Sequence, residues 1–260
     1  MIGVSGAAHG YGAALAELPL SATAVDDVRD AIAVVDGTGD WAQRARMALR
    51  AGASALVIAR PGTVGDGELA ALEALAGRTP IVLDRPRLRA DVVADAVAEA
   101  VPDAVGPDAG WHVSADAVAV ESEIGGVVRD AIGWLRILAG GRLALRAGET
   151  LPHGVLAMFE HPASGRAAAL TASALIGRGG ARLRAHAIGE TRIEIDLDAA
   201  TRDRTVVVTT AEGARRVPRR HESSERLALR RAVDAVVHGN PPADLDEFRH
   251  DAYLEALTWG

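Results

Sequence analysis

The sequence predicts an α/β domain followed by an α+β domain. Up to about residue 100, short continuous apolar runs alternate with helical patterns, which is typical of parallel βαβ units. Beyond residue 112, apolar residues alternate singly with polar ones, as in antiparallel strands that bury one face. We therefore expect a parallel sheet first, and then an open-faced, mostly antiparallel β-sheet with helices.

The first half contains four predicted buried strands and four predicted helices. The strands are Ile2–Ser5, Ala31–Val35, Ala55–Ala59 and Pro80–Leu83. The helices are Ala13–Leu18, a segment that Asp40 caps and Gly52 ends, Glu68–Ala76 and Asp91–Ala100. The second and the fourth of these helices show apolar residues on one stripe, which fits packing against a sheet.

Residues 101–112 are rich in proline, glycine and aspartate and predict a domain junction. We place the first domain at residues 1–105 and the second at 106–260. The second domain is predicted to contain a helix at Gly126–Leu138, a sheet of at least five strands, and closing helices at 224–238 and 244–257.

Alternation is clearest in two strings of the second half, ARLRAHAI at 181–188 and TRIEIDLD at 191–198. In the first string, apolar side chains alternate with Arg182, Arg184 and His186, which form a basic stripe. GVLAMFEH, RAAALTASALI and RTVVVTT complete the predicted sheet. The face that carries the stripe is expected to be either solvated or covered by a partner subunit.

The composition excludes several classes of function. A formal net charge of −7 argues against nucleic acid or an anionic membrane as the main partner. With no cysteine, the chain has no disulfide, no thiolate nucleophile and no sulfur metal site, and no His/Asp/Glu spacing resembles a zinc site. We see no secretory signal and no apolar stretch long enough to span a bilayer, so we expect a cytoplasmic protein.

All 28 basic residues are arginine, because the chain contains no lysine. A lysine general acid, Schiff base or phosphate anchor is therefore excluded. The same absence rules out the Tyr-x-x-x-Lys pair of short-chain dehydrogenases, whose glycine turn the string GAAHGYG would otherwise fit.

The order of several local strings resembles the glucose–fructose oxidoreductase/inositol dehydrogenase family, the Gfo/Idh/MocA group. The strings are DAIAVVDGTG (30–39), RARMALRAGASALVIARPG (44–62), EIGGVVRDAIGWLRILAGG (123–141), HGVLAMFEHPASGRAAALTASALIG (153–177) and VDAVVHGNPPADLDEF (233–248). The resemblance implies a truncated Rossmann-like domain for NAD or NADP, and an open-faced sheet that carries the substrate side and the oligomer contact. It places Gly37 and Thr38 beside the nicotinamide.

The family's catalytic lysine, in its Glu-Lys-Pro string, matches Arg60 of Ala59-Arg60-Pro61. Asp84-Arg85-Pro86 is a rival match, again with arginine in the middle. A guanidinium has a pKa above about 12, so it exchanges protons poorly at neutral pH but holds anions well. We therefore expect Arg60 to orient the substrate, or to form a salt bridge at the sheet edge.

The family's next helix carries an aspartate and then a histidine or tyrosine that face the substrate. Asp130 matches the aspartate, but the histidine position holds Trp134 or falls in a one-turn deletion. Tryptophan cannot relay protons. The resemblance thus leaves Asp130, or a histidine such as His153 or His161, to handle the proton, although these residues can also be purely structural.

The glycine string at the end of the first strand is the candidate phosphate-binding turn. It contains Gly6, Ala8, His9, Gly10 and Gly12, and Ala8 replaces the middle glycine of the family's fingerprint. A plain tight turn is the alternative.

An acidic residue about 20 positions further on should bind the ribose hydroxyls. The segment LPLSATAVDDVRD reads instead as if a helix and a strand were missing, and Asp26 and Asp27 are predicted to begin a short helix.

Three functions follow from this reading. The first is a diverged NAD(P)-dependent oxidoreductase that acts on a sugar-like or cyclic alcohol or ketone. The second is a non-catalytic pseudoenzyme that serves as partner or regulatory subunit of a related oxidoreductase, in a homo- or hetero-oligomer formed through the C-terminal sheet. The third is a cofactor-independent lyase or isomerase. The lysine, the histidine and part of the adenosine-binding segment are all absent. These three losses bring the pseudoenzyme reading close to the oxidoreductase reading.

Overall fold

The computed structural model describes residues 1–6, 8, 10–100, 111–177, 179–201 and 203–259, of which residues 99 and 100 are described by their backbone alone. These residues form two compact units. Unit 1 comprises Met1–Pro86 and His221–Arg249, and unit 2 comprises Arg87–Arg220 and His250–Gly260. The junction predicted between residues 105 and 106 lies outside the described residues and stays a prediction.

Unit 1 is built on a parallel sheet of five strands. The strands are β1 (Ile2–Ser5), β2 (Ala22–Ala24), β3 (Ile32–Asp36), β4 (Ala55–Ala59) and β5 (Ile81–Asp84). Their order across the sheet is β2-β1-β3-β4-β5, and every pair is parallel. All of β4 is buried, as expected for a continuous apolar run in a sheet covered on both faces.

Seven helices occur among the described residues. They are α1 (Tyr11–Ala16), α2 (Trp41–Arg50), α3 (Asp66–Ala76), α4 (Ala90–Ala100), α5 (Glu121–Ala139), α6 (Ser224–His238) and α7 (Asp244–Trp259). The helices α1, α2, α3 and α6 belong to unit 1. The chain thus returns to the parallel sheet with α6, and α7 begins in unit 1 and ends in unit 2.

The prediction of a short helix that starts at Asp26 and Asp27 is wrong. Both residues lie in a loop that follows β2, a short edge strand paired in parallel with β1. The second strand of the domain is therefore shortened rather than missing. Three residues are too few to show a strand pattern in the sequence, so β2 is recognisable only by its pairing with Ile2–Val4.

Unit 2 is built on a sheet of eight strands. The strands are β6 (His112–Val120), β7 (Ala144–Leu151), β8 (Gly154–His161), β9 (Arg166–Leu175), β10 (Arg182–Ile188), β11 (Arg192–Asp198), β12 (Asp203–Thr210) and β13 (Gly213–Arg216). Their order is β13-β12-β11-β10-β6-β9-β8-β7. Only the β6–β9 pair is parallel, which confirms the prediction of a mostly antiparallel sheet.

The alternation predicted for β10 is confirmed. Leu183, Ala185 and Ala187 are buried, whereas Arg184 is exposed and His186 is half-buried. Helix α5 packs on the buried face and shares its hydrophobic core. Trp134 of α5 is fully buried, and its Nε1–H donates to the carbonyl oxygen of Arg87 at 2.7 Å, so its role is structural.

Two buried ion pairs join α5 to the last turns of α7 within unit 2. Arg136 Nε lies 2.9 Å from Asp251 Oδ1, and Arg129 Nη1 lies 3.2 Å from Glu255 Oε2. A Cβ atom on Gly125 would lie 2.8 Å from Glu255 Oε1, so a glycine at this position lets the carboxylate approach. Because each charge is desolvated, each depends on its partner.

We expect Asp251→Asn to destabilise unit 2 by about 3–5 kcal/mol, because it leaves the buried charge of Arg136 without its carboxylate. Urea denaturation followed by circular dichroism measures the change. The matched control is Glu160→Gln, which breaks the exposed pair with Arg146 and should change the stability far less. Equal effects of the two substitutions would contradict a special role for the buried pair.

Candidate functional site

The carboxyl ends of the parallel strands in unit 1 carry a group of polar side chains. Open parallel sheets bind ligands at this edge, because the loops that follow the strands diverge there. Tyr11 follows β1, Arg60 follows β4, and Asp84 ends β5. The first turn of α6 adds Ser224 and Glu225.

The glycine turn after β1 has a backbone that only glycine adopts readily. Gly6 and Gly10 have φ angles of +104° and +87°. A Cβ atom on Gly6 would collide with the carbonyl oxygen of Val34, so the turn lies directly against β3. No heavy atom lies within 4 Å of the position that a Cβ on Gly12 would take, so the space beside this residue of α1 is open. Ala8 is buried, and His9 lies outside the described residues.

The loop after β3 is a tight turn in which Asp36 binds Thr38 twice. The carboxylate accepts the backbone N–H of Thr38 at 2.8 Å and its hydroxyl at 2.7 Å. These hydrogen bonds lower the pKa of the Asp36 carboxyl. Gly37 donates its N–H to the carbonyl oxygen of Ala59 at 2.7 Å and has no room for a side chain. Gly37 therefore shapes the site through its backbone, and Thr38 through its backbone N–H and its hydroxyl.

Arg60 stands at the tip of β4 in a left-handed conformation, with φ at 51°. Its N–H donates to the carbonyl oxygen of Asp84 at 3.0 Å, which holds this uncommon backbone in place. The side chain is 65% exposed, and Nη2 lies 3.4 Å from Glu225 Oε1. The structure thus presents an exposed and partly neutralised arginine at the tip of β4.

Arg85, the rival match to the family's lysine, has a different environment. It is buried, and its Cζ atom lies 5.6 Å from the centre of the Phe248 ring. Phe248 packs edge-on against Trp41 at 6.1 Å. Arg85 therefore takes part in the packing of unit 1, whereas Arg60 reaches solvent.

A buried hydrogen bond joins Tyr11 to Asp84, two residues that the sequence analysis did not assign to the site. The Tyr11 hydroxyl donates to Asp84 Oδ2 at 2.9 Å. Burial raises the pKa of Asp84 from 3.8 to about 6. The charge of Glu225 raises it too, while hydrogen bonds from Tyr11 and Ser224 and the charge of Arg60 lower it. Burial likewise raises the pKa of Tyr11.

The sequence did contain a signal for both residues. Asp84 ends the predicted buried strand IVLD, where a parallel sheet places its binding residues, and Tyr11 lies inside the glycine string. Ser224 and Glu225 were visible only as the start of a helix. No signal in the sequence brings α6 to the tip of β5.

Asp130 and His153, the other two predicted catalytic residues, lie in unit 2. Asp130 is buried in the middle of α5. His153 is exposed in the turn between β7 and β8, where its carbonyl oxygen accepts the N–H of Ala174 at 2.7 Å. His161 is held by Ser164, with 2.7 Å between Nδ1 and Oγ. The roles of Asp130 and His153 in proton transfer stay predictions.

Asp26 lies two residues beyond the end of β2. Its carbonyl oxygen accepts the hydroxyl of Ser5 at 3.3 Å, which ties this loop to the tip of β1. The Asp27 carboxylate accepts the N–H of Arg29 at 3.0 Å and so stabilises the loop. Asp26 is thus the acidic residue placed at the end of the second strand.

In the part of the chain that the structure describes, no group of three or more His, Asp and Glu residues could hold a metal ion. No helix among these residues is long and apolar enough to cross a membrane.

No family model and no curated protein matches the sequence. Solved structures do match it over its whole length. The 3-ketoreductase KijD10 from Actinomadura kijaniata, in complex with NADP and TDP-benzene, is 16% identical, with 99% of this chain and 96% of that chain covered and a TM-score of 0.67. The UDP-N-acetylglucosamine 3-dehydrogenase GnnA from Acidithiobacillus ferrooxidans is also 16% identical, with 99% and 95% covered and a TM-score of 0.71.

The chain has the Gfo/Idh/MocA fold. The order of the sequence strings predicted this fold, and the likeness confirms it.

The residues at the strand tips fit the dinucleotide that this fold implies. Gly6 and Gly10 have the positive φ angles of a tight glycine turn, and the space beside Gly12 is open. The carboxylate of Glu225 would repel an anion here, because its Oε1 lies 3.2 Å from the position that a Cβ on Gly10 would take. Arg60 offsets that charge through its ion pair with Glu225.

We expect Asp84→Asn to stabilise the protein at neutral pH but not in acid. The folded-state pKa of Asp84 lies above the unfolded value. The wild type therefore keeps its full stability below pH 3.8 and loses part of it as the pH rises through about 6. Two pH units correspond to about 3 kcal/mol at most. Urea denaturation at pH 4 and pH 7.5 measures the difference.

Asp36→Asn is the matched control, with the opposite sign. The pKa of Asp36 is lowered in the fold, so its contribution is present at neutral pH and lost as the pH falls through the folded-state pKa. The variant should be destabilised at pH 7.5. A stability difference between wild type and Asp84→Asn that is the same at both pH values would refute the assignment.

Proposed function

We propose that this protein is an NAD(P)-dependent oxidoreductase that acts on a sugar-like or cyclic alcohol or ketone. The observation that carries the proposal is Arg60, held in a left-handed conformation at the tip of β4, beside the glycine turn of a Gfo/Idh/MocA fold. Strained non-glycine residues at strand tips are common in binding sites, where the strain fixes a side chain for use. GnnA is a UDP-N-acetylglucosamine 3-dehydrogenase and KijD10 is a 3-ketoreductase, which supports the class of substrate.

In this proposal the nucleotide lies along the strand tips of unit 1. The backbone at Gly6, Gly10 and Gly12 would receive the pyrophosphate, and the turn at Gly37 would lie beside the nicotinamide. A bound nicotinamide supplies the acceptor or donor of hydride. Asp26 would bind the ribose hydroxyls, which favours NAD over NADP because a carboxylate repels a 2′-phosphate.

Arg60 would hold the substrate rather than exchange its proton. Five fixed N–H donors suit a hydroxyl, a carbonyl or an anionic group of the substrate. Proton transfer then needs another group, for which Asp130 and His153 remain proposals.

A second candidate is a non-catalytic subunit that pairs through the open sheet of unit 2. One observation favours it, since the carboxylate of Glu225 lies beside Gly10, where an incoming phosphate would be repelled. A second observation concerns the uncovered face of the sheet. Leu156 and Met158 of β8 are 44% and 46% exposed there and lie opposite Thr171 and Ala169 of β9. An apolar patch on a sheet face suits a partner subunit.

A cofactor-independent lyase or isomerase is the third candidate. The hydrogen-bonded pair of Asp84 and Tyr11 favours it, because a carboxyl that titrates near neutrality can move protons without a nicotinamide.

We expect calorimetric titration to show binding of NADH, weaker binding of NADPH, and about tenfold weaker binding of both in Arg60→Ala, because the variant leaves Glu225 uncompensated. Arg230→Ala is the matched control. It removes an arginine of α6, the helix that carries Glu225, which pairs with Glu222 just before that helix. No binding of either nucleotide at millimolar concentration would end the oxidoreductase proposal and favour the other two candidates.

We expect the full chain to form an oligomer through the sheet face of unit 2, and Met158→Asp to dissociate it. A buried carboxylate at that contact would cost more than the contact gains. Light scattering coupled to gel filtration would then show a mass of 26.9 kDa, the mass of one chain. Val237→Asp changes an apolar position on α6 that is 63% exposed, against 46% for Met158, and should leave the mass unchanged. A wild type that runs as a monomer would refute this contact.

A further inference from the structure

The carboxylate of Glu225 lies directly over Gly10 of the glycine turn in unit 1. Its Oε1, Cγ and Cδ atoms lie 3.2, 3.3 and 3.4 Å from the position that a Cβ on Gly10 would take. Gly10 is exposed and has a φ angle of +87°, so its missing side chain gives room to the carboxylate. An anion of the chain itself thus lies where the proposed function places the pyrophosphate.

Two further side chains hold the Glu225 carboxylate over the turn. Its Oε1 lies 3.4 Å from Nη2 of Arg60, and its Oε2 accepts the hydroxyl of Ser224 at 3.3 Å. The Glu225 side chain is 16% exposed, whereas that of Arg60 is 65% exposed. The carboxylate is therefore enclosed against the turn, while its counter-charge can be reached from solvent.

The first turn of helix α6 is fixed by contacts that do not involve Glu225. The Ser223 hydroxyl accepts the N–H of Arg226 at 3.1 Å and so begins the helix. Leu229, one turn further along, is fully buried in the core that α6 shares with Ala14 of α1. Because these contacts hold the backbone of α6, the Glu225 side chain can turn away about its own bonds while the helix stays in place.

A carboxylate and a phosphate compete for the same surroundings beside Gly10. Both are anions that arginine binds through paired N–H donors. They cannot share this space, because like charges in contact repel each other. The pair of Glu225 and Arg60 is easily broken by comparison, since ion pairs with an exposed member contribute little to stability. A phosphate that reaches the turn would therefore displace Glu225 and separate it from Arg60.

We propose that Glu225 is a built-in competitor of the nucleotide: its carboxylate occupies the phosphate position of the glycine turn, and the nucleotide binds by displacing it from Gly10 and Arg60. The inference rests on the proposed function and names the residue that sets the affinity of that site for the nucleotide. It also gives the ion pair a role. Once Glu225 has left, the Arg60 guanidinium is free to hold the substrate.

Calorimetric titration of the full chain with NADH tests the inference. We expect Glu225→Gln, which keeps the length of the side chain and removes its charge, to bind NADH about tenfold more tightly than the wild type, because the ligand no longer displaces an anion. Glu225→Ala, which also vacates the space over Gly10, should bind at least as tightly as Glu225→Gln. A variant Glu225→Gln that binds NADH as weakly as the wild type, or more weakly, would overturn the inference.

Glu222→Gln is the matched control for the charge. It removes a carboxylate just before α6, where Glu222 pairs with Arg230, and it should leave the affinity for NADH unchanged. A gain in affinity as large as that of Glu225→Gln would mean that only the net charge of the chain matters, and would also overturn the inference.

A double substitution tests the link to Arg60. Arg60→Ala is expected to weaken NADH about tenfold in the wild type, because Glu225 then lacks its counter-charge. In the Glu225→Gln background that cause is gone, so Arg60→Ala should weaken NADH far less. Equal losses in the two backgrounds would show that Arg60 acts on the nucleotide independently of Glu225, which contradicts the proposed exchange.

Inorganic pyrophosphate, used as a second probe, separates the failure of this inference from the failure of the proposed function. If NADH binds the wild type and Glu225→Gln equally, only the inference fails. If no variant binds NADH but Glu225→Gln binds pyrophosphate more tightly than the wild type, the oxidoreductase proposal fails, and Glu225 remains an anion that blocks the turn. If neither probe binds any variant, both fail.

Discussion

The carboxyl-terminal residue of β5, Asp84, is the point on which the site in unit 1 depends. Its carbonyl oxygen accepts the N–H of Arg60 and so supports the left-handed backbone that ends β4. Its carboxyl group accepts the hydroxyl of Tyr11 at the start of α1. A charge buried at this position is costly, and the surrounding donors are what make it tolerable. One residue thus joins two strand tips and one helix start.

The ion pairs that arginine forms in this chain have two different roles. In unit 2, Arg136 and Arg129 are buried against carboxylates of α7, where each pair depends on both members. In unit 1, Arg60 is mostly exposed and only partly neutralised by Glu225. A buried pair holds helices in register, whereas an exposed arginine on a fixed backbone remains available to a ligand.

Much of the fold could be predicted, because long apolar runs and clear alternation report burial directly. The bounds of β1 and β4 agree with the predicted strands, and the alternation in β10 identified its buried face. The errors are local. The edge strand β2 is too short to show a pattern, so the loop at Asp26 was misread as a helix start. Helix α5 begins at Glu121, five residues before the predicted start at Gly126, because the glycine pair there interrupts its apolar stripe.

The sequence by itself determined the order of elements, the absence of lysine and thiol chemistry, and the presence of an arginine at the tip of β4. Only the tertiary structure decided which side chains meet there. Tyr11 and Asp84 are 73 residues apart, and Arg60 and Glu225 are 165 apart. A pKa near neutrality arises from burial and from neighbours, both of which come from distant parts of the chain. Local patterns identify strands and helices, but contacts between them set the chemistry of the site.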